Sequence, residues 1–190
     1  KAMWEILTDI AKPRPMNRLL EGDVGSGKTA AAAAGALTAA AAGYQTALMA
    51  PTEILARQHY ATLASILGPF DVFTALITGS ERQSALTKQC HVFVGTHALI
   101  QKNVHFENLG LIIIDEQHRF GVEQRAALIK NYEARSARRE QSDDGIMLHS
   151  KFAIPHFLSM SATPIPRTLA LAMYGDLDIS ILDEMPAVRK

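Results

Sequence analysis

The string Gly22-Asp-Val-Gly-Ser-Gly-Lys-Thr29 constrains this chain more than any other. It fills every fixed position of the phosphate-loop pattern G-x-x-x-x-G-K-[ST]. The pattern makes physical demands that few loops meet. Gly22, Gly25 and Gly27 let the backbone around Ser26 curl tightly, so that several N–H groups point into one anion-sized nest. Lys28 adds a charge that can reach the β- and γ-phosphates, and the Thr29 hydroxyl can ligate Mg²⁺. Residues 18–21 read as a short strand entering the loop. Residues 28–42 read as a helix leaving it, whose N-terminus adds partial positive charge beneath the phosphates. A nucleoside triphosphate is the expected ligand, and a plain Gly-rich turn is the bland alternative.

Around this loop, apolar runs alternate with helical patterns. Strands are expected at 18–21, 46–50, 72–78, 91–94, 109–115, 156–161 and 178–182, and helices at 2–11, 28–42, 53–67, 81–88, 122–134 and 167–173. The run Leu111-Ile-Ile-Ile-Asp115 is apolar on both sides, as in parallel sheets buried on both faces. The alternation predicts a doubly wound α/β sheet with ligand at the carboxyl ends of its strands. Helix 28–42 is nearly all alanine, which suits close packing, and Gly43 reads as its stop. Residues 134–151 are polar and aperiodic and read as a surface loop. Arg135, Arg138 and Arg139 within it could touch phosphate, although a solvated loop is the plainer reading.

The 190 residues suit a single domain, 1–190, with a substantial core. No apolar run approaches the length of a membrane span, so no membrane partner is expected. Cys90 stands alone, which excludes an internal disulfide and fits a reducing cytoplasm. The seven histidines show no paired ligand spacing. Lys plus Arg equals Asp plus Glu, at 19 each, so the basic footprint of a nucleic-acid binder is missing.

The strand 109–115 ends in Asp115 and Glu116. At the carboxyl end of a buried strand, two acids face the ligand crevice. Asp115 would hold Mg²⁺, directly or through water, and Glu116 would orient or deprotonate the attacking water. A polar strand end with no role is the alternative.

Four short strings then resemble superfamily-two helicase motifs in order and spacing. They are Ala50-Pro-Thr-Glu53, Val94-Gly-Thr-His97, Asp115-Glu-Gln-His118 and Ser161-Ala-Thr163. Longer strings narrow the likeness, among them Asp115-Glu-Gln-His-Arg-Phe-Gly-Val-Glu-Gln124, Ala162-Thr-Pro-Ile-Pro-Arg-Thr-Leu-Ala170 and Tyr174-Gly-Asp-Leu-Asp178. Together they resemble the first RecA-like lobe of the bacterial RecG family of ATP-dependent DNA helicases. The translocase lobe of the transcription-repair coupling factor shares two of the strings. That family usually has Phe at Ser26 and Glu at Gln117. Against the RecG pattern, Ser161 replaces Thr, Ala187-Val188 replaces Pro-Gly, 134–151 is long, and 79–91 is short.

The resemblance implies a three-layer RecA-like P-loop fold with a mostly parallel sheet and helices on both faces. It implies ATP and Mg²⁺ as cofactors, with Lys28 and Thr29 on the phosphates and metal, Asp115 on the metal and Glu116 on water. Gln117, His118, Ser161 and Thr163 would couple nucleotide state to the rest of the motor. Ser161 and Thr163 are expected on a strand between those of the phosphate loop and Asp115, with ordinary strand-end hydrogen bonding as the alternative. Pro51, Thr52, Gly79, Gly95, Thr96 and His97 would grip the DNA backbone without reading bases. Arg57 and Arg167 could add phosphate contacts or form salt bridges.

The implied partners are branched duplex DNA (forks and Holliday junctions) and a second RecA-like lobe and wedge domain of the same protein. The implied location is the bacterial cytoplasm, at the nucleoid. Lys190 falls where the second lobe is expected to begin, and an adenine-contacting glutamine is expected just before Lys1. Two other classes remain as alternatives: a nucleotide or small-molecule kinase, and a non-catalytic module with a vestigial nucleotide fold. A water-activating Glu116 argues against the first, and intact motifs argue against the second.

Overall fold

The computed structural model describes residues 1–79, 90–101, 104, 106–116, 154–163 and 177–182. The helices expected at 81–88, 122–134 and 167–173, the loop at 134–151, Gln117, His118 and Arg167 lie outside them. The described strands are β1 (Asn17–Gly22), β2 (Gln45–Met49), β3 (Thr74–Ile77), β4 (Val92–Gly95), β5 (Leu109–Asp115), β6 (His156–Ser161) and β7 (Asp178–Leu182). They form one seven-stranded sheet in the order β3-β4-β2-β5-β6-β1-β7. Every pairing is parallel.

Parallel pairing forces each connection to cross over the sheet, and the crossovers after β1 and β2 carry α-helices. The described α-helices are α1 (Ala2–Ile10), α2 (Lys28–Ala41) and α3 (Glu53–Leu67). Their apolar faces meet one side of the sheet, where Leu48, Val94, Leu111, Ile113 and Leu158 join Ile6, Ala32, Ala36 and Leu63 in one core. On the other side Met49, Phe93, Ile112, Ile114 and Phe157 are buried with Leu99 from a 3-10 turn at His97–Ile100. Both faces are therefore covered, and the architecture is the three-layer RecA-like α/β fold.

β5 shows why its apolar run lacks alternation. All seven of its residues are buried. The register with β2 shifts between Gln45 and Thr46, where Gly110 is the extra residue. One extra residue reverses the pleat. Leu109 and Leu111, two apart, thus enter opposite cores.

Strands β5, β6 and β7 match the expected bounds residue for residue. β3 is shorter than 72–78, because the Val72 amide closes the end of α3 on Leu67 O at 3.4 Å instead of joining the sheet. α2 ends one residue early. Gly43, at φ 80°, turns the chain, with Tyr44 N donating to Ala39 O and Gly43 N to Ala40 O, both at 2.9 Å. This is the Schellman arrangement, which satisfies carbonyls the helix end leaves open.

A buried ionic network ties α1 to the β7 edge. Arg18 on β1 is 8% exposed and donates through both Nε and Nη2 to Asp9 Oδ2. Its Nη1 donates to Ser180 Oγ at 2.7 Å, and that hydroxyl donates to Glu5. Burial would push the Asp9 carboxyl up, but the Lys12 and Arg18 donors outweigh it and hold it below its ordinary value.

Candidate active site

β1, β6 and β5 are neighbours, and their carboxyl ends lie level. Glu21 pairs with Ser161, and Met160 with Asp115. Gly22, Ser161 and Asp115 thus share one crest, with the β1 and β5 ends two strand spacings apart, about 10 Å. β6 lies between the phosphate-loop strand and the Asp115 strand, as the resemblance implies; it carries Ser161, whereas Thr163 lies two residues past its end.

The loop after β1 has the backbone its glycines permit. Gly25 and Gly27 sit at φ 84° and 95°, with Gly27 serving as the N-cap of α2. Gly22 has a different reason to be glycine. A Cβ there would meet Ser26 Oγ at 2.6 Å and Leu182 Cβ at 2.9 Å, so loop and β7 close onto bare backbone. Ser26 N donates to Asp23 O at 3.1 Å, and Ala31 N to Gly27 O begins the helix. The Lys28 ammonium donates to Gly22 O and, at 2.9 Å, to Asp23 O, holding its charge at the loop. Thr29 is half-buried in the first turn of α2.

These residues fit a bound triphosphate. Ser26 Oγ is buried within the loop and has no hydrogen-bond partner. A buried hydroxyl without a partner costs about 1–3 kcal/mol, so a loop that keeps one is suited to an incoming acceptor. Space around Gly25 and Gly27 is open.

Asp115 ends β5 with a residue exposure of 8%. Its Oδ2 accepts from His59 Nε2 on α3 at 2.6 Å. Glu116 follows at φ 53°, in the left-handed region that L residues other than Asn and Asp rarely enter. The chain turns sharply off the strand there, and the Glu116 side chain is half-buried. Ser161 Oγ donates to Thr163 O at 3.0 Å and accepts from Thr163 N at 3.2 Å, with Thr163 Oγ1 also at 3.2 Å. The local strand-end bonding weighed as an alternative for these hydroxyls is therefore present.

The six residues expected to face DNA lie on the other half of the same crest, after β2, β4 and β3. Gly95 pairs with both Met49 and Ile77. A Cβ on Gly95 would stand 2.1 Å from Ile77 O, so close strand approach alone demands this glycine. Thr96 N points to Ile77 O at 3.4 Å. Thr52 caps α3 by accepting from Leu55 N at 3.3 Å, and Gly79 N donates to Glu53 Oε1 at 3.1 Å. The Thr96 and Gly79 amides thus already have partners within the protein. Pro51 and Thr96 are half-buried, and His97 and Arg57 are exposed.

His59 has no signal in the sequence that marks it as a site residue, yet the fold brings it onto Asp115. It lies on α3 between Gln58 and Tyr60, and its partner is 56 positions away. Among the described residues no group of three or more His, Cys, Asp or Glu could hold a metal unaided. No described helix is long and apolar enough to cross a membrane.

Residues 3–172 match the family model described as DEAD/DEAH box helicase. The chain is 50% identical to the ATP-dependent DNA helicase RecG of Aquifex aeolicus, over all of this chain and 23% of that protein. It is 48% identical to RecG of Synechocystis, over 98% of this chain and 21% of that protein. A solved structure of RecG bound to a three-way DNA junction superposes with a TM-score of 0.73 at 44% identity, over all of this chain and 24% of that one. The chain thus spans about a quarter of the length of the relatives it matches.

Proposed function

Because the chain belongs to the DEAD/DEAH box helicase family, we propose that it is the ATP-binding motor lobe of a branched-DNA helicase. One observation carries this reading: β1, β6 and β5 deliver the phosphate loop, Ser161 and the Asp115-Glu116 pair to one crest. Gly22, Gly25, Ser26, Gly27 and Lys28 hold the triphosphate. Thr29 and Asp115 hold Mg²⁺, directly or through water. When bound, the metal neutralises charge on the β- and γ-oxygens. Glu116 accepts a proton from the water whose oxygen bonds to the γ-phosphorus, while the bond from that phosphorus to ADP breaks and its electron pair leaves with ADP.

Ser161 and Thr163, with Gln117 and His118 beyond the described residues, relay the change at the γ-position. Pro51, Thr52, Gly79, Gly95, Thr96 and His97 face the DNA backbone across the other half of the crest. The Gly79 and Thr96 amides and the Thr52 hydroxyl also hold partners within the protein, so loop shape fixes how these residues meet the DNA strand. The RecG relative was solved on a three-way junction, which supports branched DNA as the partner here. In the longer protein, with a second RecA-like lobe and a wedge domain, hydrolysis would drive duplex translocation, fork regression and branch migration.

The test is Mg·ATP binding and phosphate release in the wild type and in Lys28→Ala. The lysine bonds the loop carbonyls of Gly22 and Asp23 and lies outside the core, so the variant should stay folded with at most a small drop in melting temperature, lose most nucleotide affinity and release no phosphate. Normal hydrolysis by Lys28→Ala would sink the site assignment. Phosphate transferred to a small acceptor instead of released would make the protein a kinase.

A further inference from the structure

Building on the reading of Asp115 as a metal-holding carboxylate, we infer that His59 is a positioning residue for it, fixing that carboxylate to the helix whose first turn follows Pro51 and Thr52. The two side chains are 13% and 11% exposed, and they meet at 2.6 Å. An aspartate at the last position of a strand has no following strand residue to restrain its rotamer, and here the next residue turns away at φ 53°. The imidazole supplies that restraint. Nε2–H donates to Oδ2, a hydrogen bond strengthened by the carboxylate charge. A carboxylate has two oxygens and about four lone-pair sites. One oxygen can stay on His59 while the group still serves a cation.

The anchor is rigid. α3 is capped by Thr52, braced at Glu53 by the Gly79 amide, and buried along Ala56, Leu63 and Leu67. His59 lies about 9 Å along the axis from Glu53, at 1.5 Å per residue. The segment proposed to meet DNA and the carboxylate proposed to meet metal are therefore joined by one stiff helix and one hydrogen bond. A shift of the first turn of α3 moves Asp115 with it.

Donors that orient metal-binding groups change metal affinity by about 10–100-fold when removed. The experiment measures fluorescent ADP affinity in Mn²⁺ and in EDTA on the full chain, with electron paramagnetic resonance of bound Mn²⁺. His59→Phe keeps a ring and loses the donor. His59→Gln keeps an N–H at similar reach. His59→Phe should lose about 10-fold or more of the affinity that Mn²⁺ contributes and keep its affinity in EDTA. His59→Gln should recover most of the loss.

An unchanged Mn²⁺ contribution in His59→Phe would overturn the inference. So would an equal loss in EDTA, which marks simple packing, or tighter Mn²⁺ binding, which marks His59 as a competitor. Asp115→Asn separates the two readings. If it retains the full Mn²⁺ contribution, the assignment of Asp115 has failed and His59 has no metal carboxylate to position.

Discussion

Glu116 carries the sharpest conflict between backbone and side chain in the site. Its φ of 53° is one of two positive values among the described residues other than glycine. Such a conformation costs about 1–3 kcal/mol and tends to persist at functional sites. Two substitutions separate the strain from the chemistry. Glu116→Gln retains shape but cannot accept a proton, so Mg·ATP should still bind while turnover falls strongly. Loss of both together would make Glu116 a metal or structural residue. Glu116→Gly should also lose turnover while keeping a melting temperature close to wild type, because relief of this φ offsets the freedom that glycine adds to the unfolded chain. A lower melting temperature in Glu116→Gly would show that the side chain supports the fold. The sequence made the acid pair legible because an apolar strand ending in two acids is a short-range pattern. It left His59 silent, because a helix-to-strand contact between residues 56 apart has no local signature. It also left open why Gly95 is glycine, which the approach of Ile77 O explains.

α2 shows what alanine does in an element. Ala31, Ala32, Ala33, Ala36 and Ala39 are buried against the sheet and its neighbours. Small side chains let the helix that leaves the phosphate loop lie close to the sheet that carries Asp115. Ala36→Leu should overpack this contact and destabilise by about 1–3 kcal/mol, read as a fall in the denaturant midpoint. An unchanged midpoint would mean that the contact is loose. The first residue of β6 gives a pH-dependent counterpart. His156 is 3% exposed and accepts from Met16 N through Nδ1 at 2.9 Å. Burial pushes its pKa below the ordinary 6.5, against the pull of the Asp9 carboxylate. The unfolded chain therefore takes up this proton first, and the stability that neutral His156 contributes is present above about pH 6.5 and lost as pH falls. One such proton sets a slope of at most about 1.4 kcal/mol per pH unit. Denaturant melts at pH 7.5 and 5.5 should show the loss, and His156→Gln should flatten it. An identical slope in that variant would assign the effect to other groups. The elements were legible where the apolar run was long, as in β5, and blurred where an amide had a second use, as at Val72.

The whole molecule is a crest with two halves. The proposed nucleotide site sits over β1, β6 and β5, and the proposed DNA loops sit over β2, β4 and β3. Strand–helix alternation predicted the doubly wound class, but periodicity says nothing about strand order. The place of β6 between β5 and β1 came from the resemblance of Ser161-Ala-Thr163 to a helicase motif, and the sheet bears it out. The zero net charge remains a restraint on how tightly this lobe can hold DNA by itself. We propose further that this lobe binds and positions ATP and that a second RecA-like lobe of the longer protein supplies an arginine that completes the site. The most direct measurement is the phosphate-release rate of residues 1–190, compared with the same chain joined to a second RecA-like lobe, each with forked duplex DNA. An arginine supplied across a triphosphate site is worth about 10³–10⁵ in rate. The single lobe should turn over slowly, with a rise of orders of magnitude when the second is joined. Equal turnover by residues 1–190 alone would show a complete active site within this chain and contradict the split-site reading.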